Sequence, residues 1–327
     1  MRRSTRCFLL IGIGTLALGL TIGALAYYGK GFSAFAVSIT NPHEFRYVPA
    51  DAMVVAFANV RELMLSDVRQ RLRAAQPDDP GRQGRQEFQE RTGIDLENDV
   101  DHVVACLFPS TGEPAGLILV RGRFDAARLE VLARQHGAAV EVYQGRRVIA
   151  FPNQDQFAVT FLEPGLIALG GQPTLRRAIA LPQAGGDVGT NQALMQMLSH
   201  VDGGSSAWAI GRFDPVAPMG WLPPQIANQV TALEAFAAAG RLNGGLSASI
   251  TAEARTEEAG QNLRDVLKGF MALAKMQTGS RPDWQRLVDS LQLDGIGKTV
   301  ELSFSLPPEA LELLLQTGRA AAGAQAK

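Results

Sequence analysis

Apolar and polar residues alternate along the second half of the chain, and this alternation predicts β-strands. In one such strand the apolar positions are Leu246, Ala248, Ile250, Ala252 and Ala254. Successive strand side chains point to opposite faces of a sheet, so each of these strands would bury only one face. Antiparallel sheets tolerate one-sided burial, whereas a doubly wound parallel sheet needs two apolar faces. The pattern therefore predicts an α+β fold of mainly antiparallel sheet with helices packed on one face.

Short apolar runs and tight turns predict further strands. Gln144-Gly145 and Glu163-Pro164-Gly165 are turn sequences, because proline presets φ and glycine accepts a positive φ, and they predict an antiparallel meander over residues 140–170. The other predicted strands are 53–58, 101–108, 116–124, 206–211, 246–254 and 299–306. Helices are predicted after Asp125 as N-cap and at 192–199, 223–239, 257–278 and 308–317.

The order of strands and helices before residue 184 resembles the order after it, which predicts two related units. A segment rich in proline, glycine and asparagine at 181–191 separates them. We predict a first α+β unit at 51–183 and a second at 184–318. Residues 30–50 carry prolines and no sustained periodicity and are predicted to be a linker, and the alanine-rich tail at 319–327 is predicted to be disordered.

The N-terminus carries the clearest single signal in the chain. Arg2, Arg3 and Arg6 precede an uncharged run from Phe8 to Tyr28, close to the roughly 20 residues that span a bilayer. Flanking arginines resist translocation, so residues 1–29 are predicted to be a cytoplasmic tip and a transmembrane helix, with the rest of the chain periplasmic. The residues predicted to contact lipid are Phe8, Leu9, Leu10, Ile11, Leu16, Leu18, Leu20, Ile22, Leu25, Tyr27 and Tyr28.

Two alternatives at the N-terminus stay open. Ala24-Leu25-Ala26 has the small residues of a signal-peptidase site, although secretory apolar regions usually run only about 7 to 15 residues. Gly19 and Gly23 form a small-xxx-small pair that would let two membrane helices approach each other closely. The sequence leaves both cleavage and oligomeric state undecided.

Composition restricts the partners. Lys and Arg number 31 against 32 Asp and Glu, and phosphate-backbone binding needs a concentrated basic surface, so no nucleic acid is expected. The four histidines lack zinc spacing, and no sequence motif calls for a cofactor. The predicted partner is the lipid bilayer through residues 8–28, with an envelope protein partner left open.

One acidic cluster is a candidate site for a hard cation. Its members are Asp95, Glu97, Asp99, Asp101 and His102. Carboxylate oxygens are the ligands that calcium prefers, but a calcium-binding loop starting at Asp95 would need a glycine at Val100 and a glutamate at Cys106. The competing interpretation is that these acids cap and solubilise a turn that leads into a strand.

Several turns and caps resemble those of uncharacterised bacterial envelope proteins. The stretches that carry the likeness are Tyr47-Val48-Pro49-Ala50-Asp51 with Val54 to Arg61, Thr92 to Asp95 with Asp99 to Asp101, and Phe161 to Gly165 with Ala168 to Gly170. The resemblance implies one N-terminal anchor and a repeated α+β extracytoplasmic part, and it brings no catalytic residues. We therefore expect a non-catalytic binding or structural role in the envelope. The alternative is a metal-dependent or hydrolytic enzyme that uses residues 95–102.

Overall fold

The computed structural model describes residues 42–66, 82–109, 115–151, 157–213, 232–242, 245–277, 285 and 288–307. The predicted anchor at 8–28, the predicted helix at 308–317 and the predicted tail at 319–327 lie outside these residues. Within the described ranges, no helix has both the length and the apolar character needed to span a membrane.

Within the described residues, twelve strands form one antiparallel sheet, which confirms the predicted α+β class. The first seven are β1 (Val54–Ala58), β2 (Val100–Phe108), β3 (Ala115–Gly122), β4 (Ala139–Tyr143), β5 (Arg146–Ala150), β6 (Phe157–Glu163) and β7 (Leu166–Gly171). The other five are β8 (Ala207–Arg212), β9 (Leu233–Leu242), β10 (Leu246–Ala254), β11 (Gln292–Asp294) and β12 (Thr299–Leu306).

The sheet is continuous through all of the described strands, from Val54 to Leu306. Its order is β11-β12-β10-β9-β8-β1-β2-β3-β7-β6-β5-β4, with β1 paired antiparallel to β8 at the centre. On one side of the centre β1, β2 and β3 lie side by side, and on the other side β8, β9 and β10 do so. The chain then continues beyond the third strand of each group and returns, so that β7 pairs with β3 and β12 pairs with β10. The sheet contains strands from both sides of the predicted boundary between residues 183 and 184. The division into two units stays a prediction.

The described helices are α1 (Val60–Leu65), α2 (Arg82–Thr92), α3 (Ala126–Gln135), α4 (Gln172–Ala184), α5 (Gln192–Leu198) and α6 (Glu257–Gln277). Short polar side chains start several of them. The Asp125 carboxylate accepts a hydrogen bond from the Arg128 amide at 3.0 Å, as its predicted N-cap role requires. Gln144 (φ 46°) and Gly145 (φ 76°) form the predicted turn between β4 and β5.

The main core lies on one face of the sheet, here called the covered face. Phe57 of β1, Val104 of β2, Leu119 of β3 and Trp208 of β8 are buried there, because alternate strand residues share a face. The rings of Phe57 and Trp208 stack with centroids 5.7 Å apart. Two helices cover this face and bury Leu175, Ala178, Ile179, Leu194, Met197 and Leu198.

Residues 43–50, predicted to be linker, instead belong to the fold. A 3₁₀ helix at His43–Tyr47 places Phe45 and Tyr47 in the core, and the following Val48 is fully buried. Phe45 packs edge-on against Trp208, with ring centroids 6.0 Å apart. Burial of these apolar side chains outweighs the disorder expected from the flanking prolines. The linker prediction is therefore wrong for this segment.

The helix predicted at 223–239 is also wrong over residues 233–239, which form β9 between β8 and β10. Alanine favours helix, but strand formation depends on the neighbouring side chains. Ala239 lies opposite Trp208, and Ala237 lies opposite Ile210. Large side chains on β8 therefore leave room only for small ones on β9, and the predicted residues 223–231 lie outside the described ranges.

Candidate functional site

A cluster of buried and partly buried charged and polar side chains lies where the N-terminal segment meets the sheet. Its members, here called the Glu44 cluster, are Glu44, Tyr47, His102, Arg121 and Glu163. Glu44 is only 3% exposed. A buried charge is tolerated only when it is paired and hydrogen-bonded, so Glu44 depends on its partners in this cluster.

The 3₁₀ helix positions the N-terminal half of the cluster. Its turns are closed by hydrogen bonds from the Phe45 amide to the Pro42 carbonyl and from the Val48 amide to the Phe45 carbonyl, both at 2.9 Å. Glu44, Phe45 and Tyr47 are buried, whereas Arg46 is exposed. Tight 3₁₀ geometry thus directs one carboxylate and one phenol inward beside an aromatic anchor.

The strands position the other half. His102 of β2 and Arg121 of β3 are directly paired across the ladder, and Arg121 is in turn paired with Leu166 of β7. Cross-strand partners project from the same face of a sheet, so the imidazole and the guanidinium lie side by side. The sheet therefore presents two basic side chains to the acidic residue that the N-terminal segment supplies.

Arg121 joins two carboxylates from distant parts of the chain. Its Nε donates to Oε1 of Glu44 at 2.8 Å, and one terminal nitrogen donates to Oε2 of Glu163 at 3.1 Å. The Tyr47 hydroxyl donates to Oε1 of the same Glu163 at 2.6 Å. Nδ1 of His43 lies 3.9 Å from this oxygen. The cluster thus ties three parts of the fold together.

His102 is the least well satisfied member. Its Nε2 lies 3.2 Å from Oε1 of Glu44, close enough for an ion pair when the ring is protonated. The same buried nitrogen makes no well-aligned hydrogen bond within the described part of the chain, so we regard Arg121 as the better-placed partner of Glu44. The imidazole packs 5.5 Å from the Phe57 ring.

The cluster shifts the pKa values of its acidic members. Burial alone would raise the pKa of Glu44, but the adjacent His102 and Arg121 outweigh it and lower that pKa to about 2. For Glu163, burial is likewise outweighed by the Tyr47 hydroxyl and Arg121, so its pKa is also lowered. Burial and the Glu163 carboxylate raise the pKa of Tyr47 to about 12.

These shifts indicate what the cluster can do chemically. A general base works best with a pKa near the working pH, and Glu44 is far below that range. A phenol with a pKa near 12 stays protonated and acts as a hydrogen-bond donor. The arrangement therefore resembles a permanent ion-pair clamp that holds residues 42–50 on the sheet.

The structure does not bring the five candidate ligands at 95–102 together. The Asp95 carboxylate accepts hydrogen bonds from the amides of Glu97 and Asn98, at 2.9 and 3.3 Å. The remaining four side chains have their own partners: Glu97 pairs with Arg85, Asp99 with the Asp95 amide and Arg123, Asp101 with Arg61, and His102 with Glu44. Throughout the described ranges, no three His, Cys, Asp or Glu side chains form a group suited to a metal ion.

Two shallow surface depressions have volumes of about 400 Å³ and about 470 Å³. The first lies beside Tyr143, Arg176 and Arg177. Both arginines are already engaged, because Arg176 binds Glu141 at 2.8 Å and Arg177 binds Asp51 at 2.7 Å. The second lies beside Arg264 and the loop at 293–297, where the Arg264 guanidinium is occupied by backbone carbonyls.

Comparison with solved structures gives weak likenesses, among them crystal forms of TP0453. No protein-family model matches the chain, and no curated protein sequence matches it. Crystal form I of TP0453 matches with a TM-score of 0.43 and 10% identity, covering 83% of this chain and 96% of the other. Crystal form III matches with a TM-score of 0.46 and 9% identity, covering 84% and 99%. These scores support no inference about function.

Proposed function

We propose that this protein is a membrane-anchored extracytoplasmic component of the cell envelope with a non-catalytic binding or structural role. In this proposal residues 8–28 span the inner membrane and residues 42–50 fix the folded part to that anchor. The observation that carries the proposal is the Glu44 cluster. Its ion pairs and hydrogen bonds attach the segment that follows the predicted anchor to the sheet.

The spacing between anchor and fold supports this arrangement. Residues 29–41 separate Tyr28 from Pro42, and an extended chain spans at most about 3.5 Å per residue, so these 13 residues reach about 45 Å. From Phe45 onward the chain is held in the hydrophobic core. The folded part would therefore stay within about 45 Å of the membrane surface.

The contacts of residues 42–50 also determine how a force on the anchor is transmitted to the fold. Residues 42–50 are held by the Glu44–Arg121 ion pair and by the packing of Phe45 against Trp208. Backbone hydrogen bonds also join them to the loop before α5. One of these bonds runs from the Val188 amide to the Val48 carbonyl at 2.8 Å. A force applied at Pro42 would therefore be transmitted to the centre of the sheet.

Membrane extraction and labelling from outside the cell test the proposal. In a Cys7→Ser background, Ile296→Cys places a thiol at a position that is 86% exposed. We expect the full chain to resist alkaline extraction, and Ile296→Cys to react with an impermeant maleimide in spheroplasts. Cys106 is the internal control, because burial raises the pKa of its thiol and keeps it unreactive in the folded chain.

Other results would contradict the proposal. Recovery of an unprocessed chain in the soluble fraction would remove the anchor, and labelling only after cell lysis would reverse the orientation. Mass determination of the purified chain distinguishes an intact N-terminus from cleavage after Ala26. The enzymatic alternative at 95–102 gains no support from the structure, because each acid there already binds a different partner.

A further inference from the structure

Helix α6 exposes a row of large apolar side chains, here called the α6 stripe. Its members and their exposed fractions are Val266 (40%), Phe270 (65%), Leu273 (54%) and Met276 (80%). They follow one another at intervals of four, three and three residues, so they lie on one side of the helix. Isolated exposed apolar residues are ordinary, but a continuous row indicates a binding surface.

The stripe is separate from the side of α6 that packs on the sheet. Gly260 and Arg264 are buried, and Leu267, Met271 and Ala274 are half-buried. The Arg264 guanidinium holds this side by donating to the carbonyls of Gly297 and Thr299, at 3.0 and 2.7 Å. At 3.6 residues per turn, the stripe points about 120° away from the packed side. Core packing therefore does not account for the stripe.

The sheet topology places the exposed end of α6 near the end of the sheet that holds the Glu44 cluster. Strands β10 and β11 both run antiparallel to β12, so the chain between them, of which α6 is the first part, returns along the sheet before β11 begins. Across the sheet, Val103 is level with Ala58, Ala207, Gly240 and Ala248. His102 thus lies at the end where β10 begins, toward which α6 returns.

The charges in this half of the helix are of one sign. From Val266 to Gln277 the charged residues are Lys268 and Lys275, and there is no acidic residue. Both lysines are exposed and paired with an acid, Lys268 with Asp265 of the preceding turn of α6 at 3.4 Å and Lys275 with Asp289 at 3.5 Å. A helix that is apolar on one side and carries lysines on the opposite side is typical of helices that lie in the headgroup region of an anionic membrane.

We infer that the α6 stripe lies on the lipid surface of the membrane that holds the N-terminal anchor. This inference rests on the proposed function, because the anchor brings the bilayer within reach. Five strand spacings of about 4.8 Å separate β3 from β10, or about 24 Å. This is less than the roughly 45 Å that residues 29–41 can span, so the anchor and the α6 stripe can reach one bilayer together.

Lipid quenching in the full chain tests the contact. In the Cys7→Ser background, a fluorophore is attached at Leu273→Cys in the stripe or at Lys268→Cys as a matched control. Lys268 is 62% exposed on the same helix but points away from the stripe. Each protein is reconstituted in vesicles of phosphatidylcholine and phosphatidylglycerol, with and without lipid that carries a spin label near the headgroup.

We expect the spin-labelled lipid to cause loss of emission from position 273 with little loss from position 268. Phe270→Ser combined with Val266→Ser should abolish the loss at 273 while the protein stays resistant to extraction. Equal emission with and without the quencher, in protein that remains membrane-bound, would overturn the lipid contact and leave the anchor intact. Disulfide-linked dimers through Leu273→Cys without quenching would show a second copy on the stripe, which also overturns it. Release of the chain on extraction would instead contradict the proposed function.

Discussion

Glu44 lies 77 positions before Arg121 in the sequence, and the two side chains form a hydrogen-bonded ion pair at 2.8 Å. The carboxylate comes from a 3₁₀ helix that the sequence does not mark, and the guanidinium comes from a central strand. Because Glu44 is almost completely buried, this pair cannot exchange one partner for water without a cost in stability.

Glu44→Gln should lower the free energy of unfolding by about 3 kcal/mol, because it leaves part of the Arg121 charge buried and unpaired. The matched control is Glu141→Gln, which removes the carboxylate of the exposed pair with Arg176. An exposed pair contributes about 0–1 kcal/mol, so the control should unfold almost as the wild type does. Denaturant unfolding of the full chain in detergent measures both; equal losses would contradict the clamp.

Stability should fall in acid as Glu44 is protonated. The folded-state pKa of about 2 lies below the ordinary 4.5, so the stabilisation is fully present above about pH 4.5 and is lost as the pH falls toward 2. The difference corresponds to about 3 kcal/mol. Melting temperatures measured across this range should decline more steeply for the wild type than for Glu44→Gln. Parallel declines would show that other carboxylates dominate.

Tyr47→Phe should cost about 2 kcal/mol, since it removes a hydrogen bond to the charged Glu163. The folded-state pKa of Tyr47, about 12, lies above its ordinary 10. The stabilisation is therefore present below pH 10 and is lost as the pH rises toward 12. Spectrophotometric titration of the folded protein should lose a phenol that titrates near pH 12 in Tyr47→Phe and keep it in the Tyr143→Phe control.

Gly122→Ala should be strongly destabilising, by about 2–3 kcal/mol, because the added methyl group would collide with the Asp99 carbonyl and the Phe124 ring. Gly84 in α2 is the matched control, since a methyl group there meets open space. Gly84→Ala should leave stability unchanged or raise it by up to about 1 kcal/mol. Thermal unfolding checks the pair, and a harmless Gly122→Ala would mean that the β3 end readily shifts.

Sequence patterns predicted the parts of the fold that depend on local chemistry. The alternation in β10 and β12, the turn at Gln144-Gly145 and the Asp125 cap each reflect the preference of a few neighbouring residues. The helix predicted over β9 was wrong, because its alanines are determined by tertiary packing against the bulky Trp208 on the neighbouring strand. A helix-forming composition was overridden by the space available.

The candidate site was beyond sequence patterns for a similar reason. The members of the Glu44 cluster are spread over about 120 positions, and each is an ordinary polar residue in its own segment. Phe45 and Tyr47 are a signal that could have marked this segment, because aromatic side chains are unusual in a solvated linker. The acidic run at 95–102, which was visible in sequence, is used for turn hydrogen bonds and separate ion pairs.

The β1–β8 ladder has a practical meaning for anyone who divides this protein. Five residue pairs, from Val54 with Gly211 to Ala58 with Ala207, close the seam between the N-terminal and C-terminal strands. A fragment that ends at residue 183 lacks β8. The backbone hydrogen-bonding groups of β1 that face β8 would then be exposed and could pair with a second copy of the fragment. Either half expressed alone is therefore expected to aggregate through this exposed strand, and the intact chain should be purified.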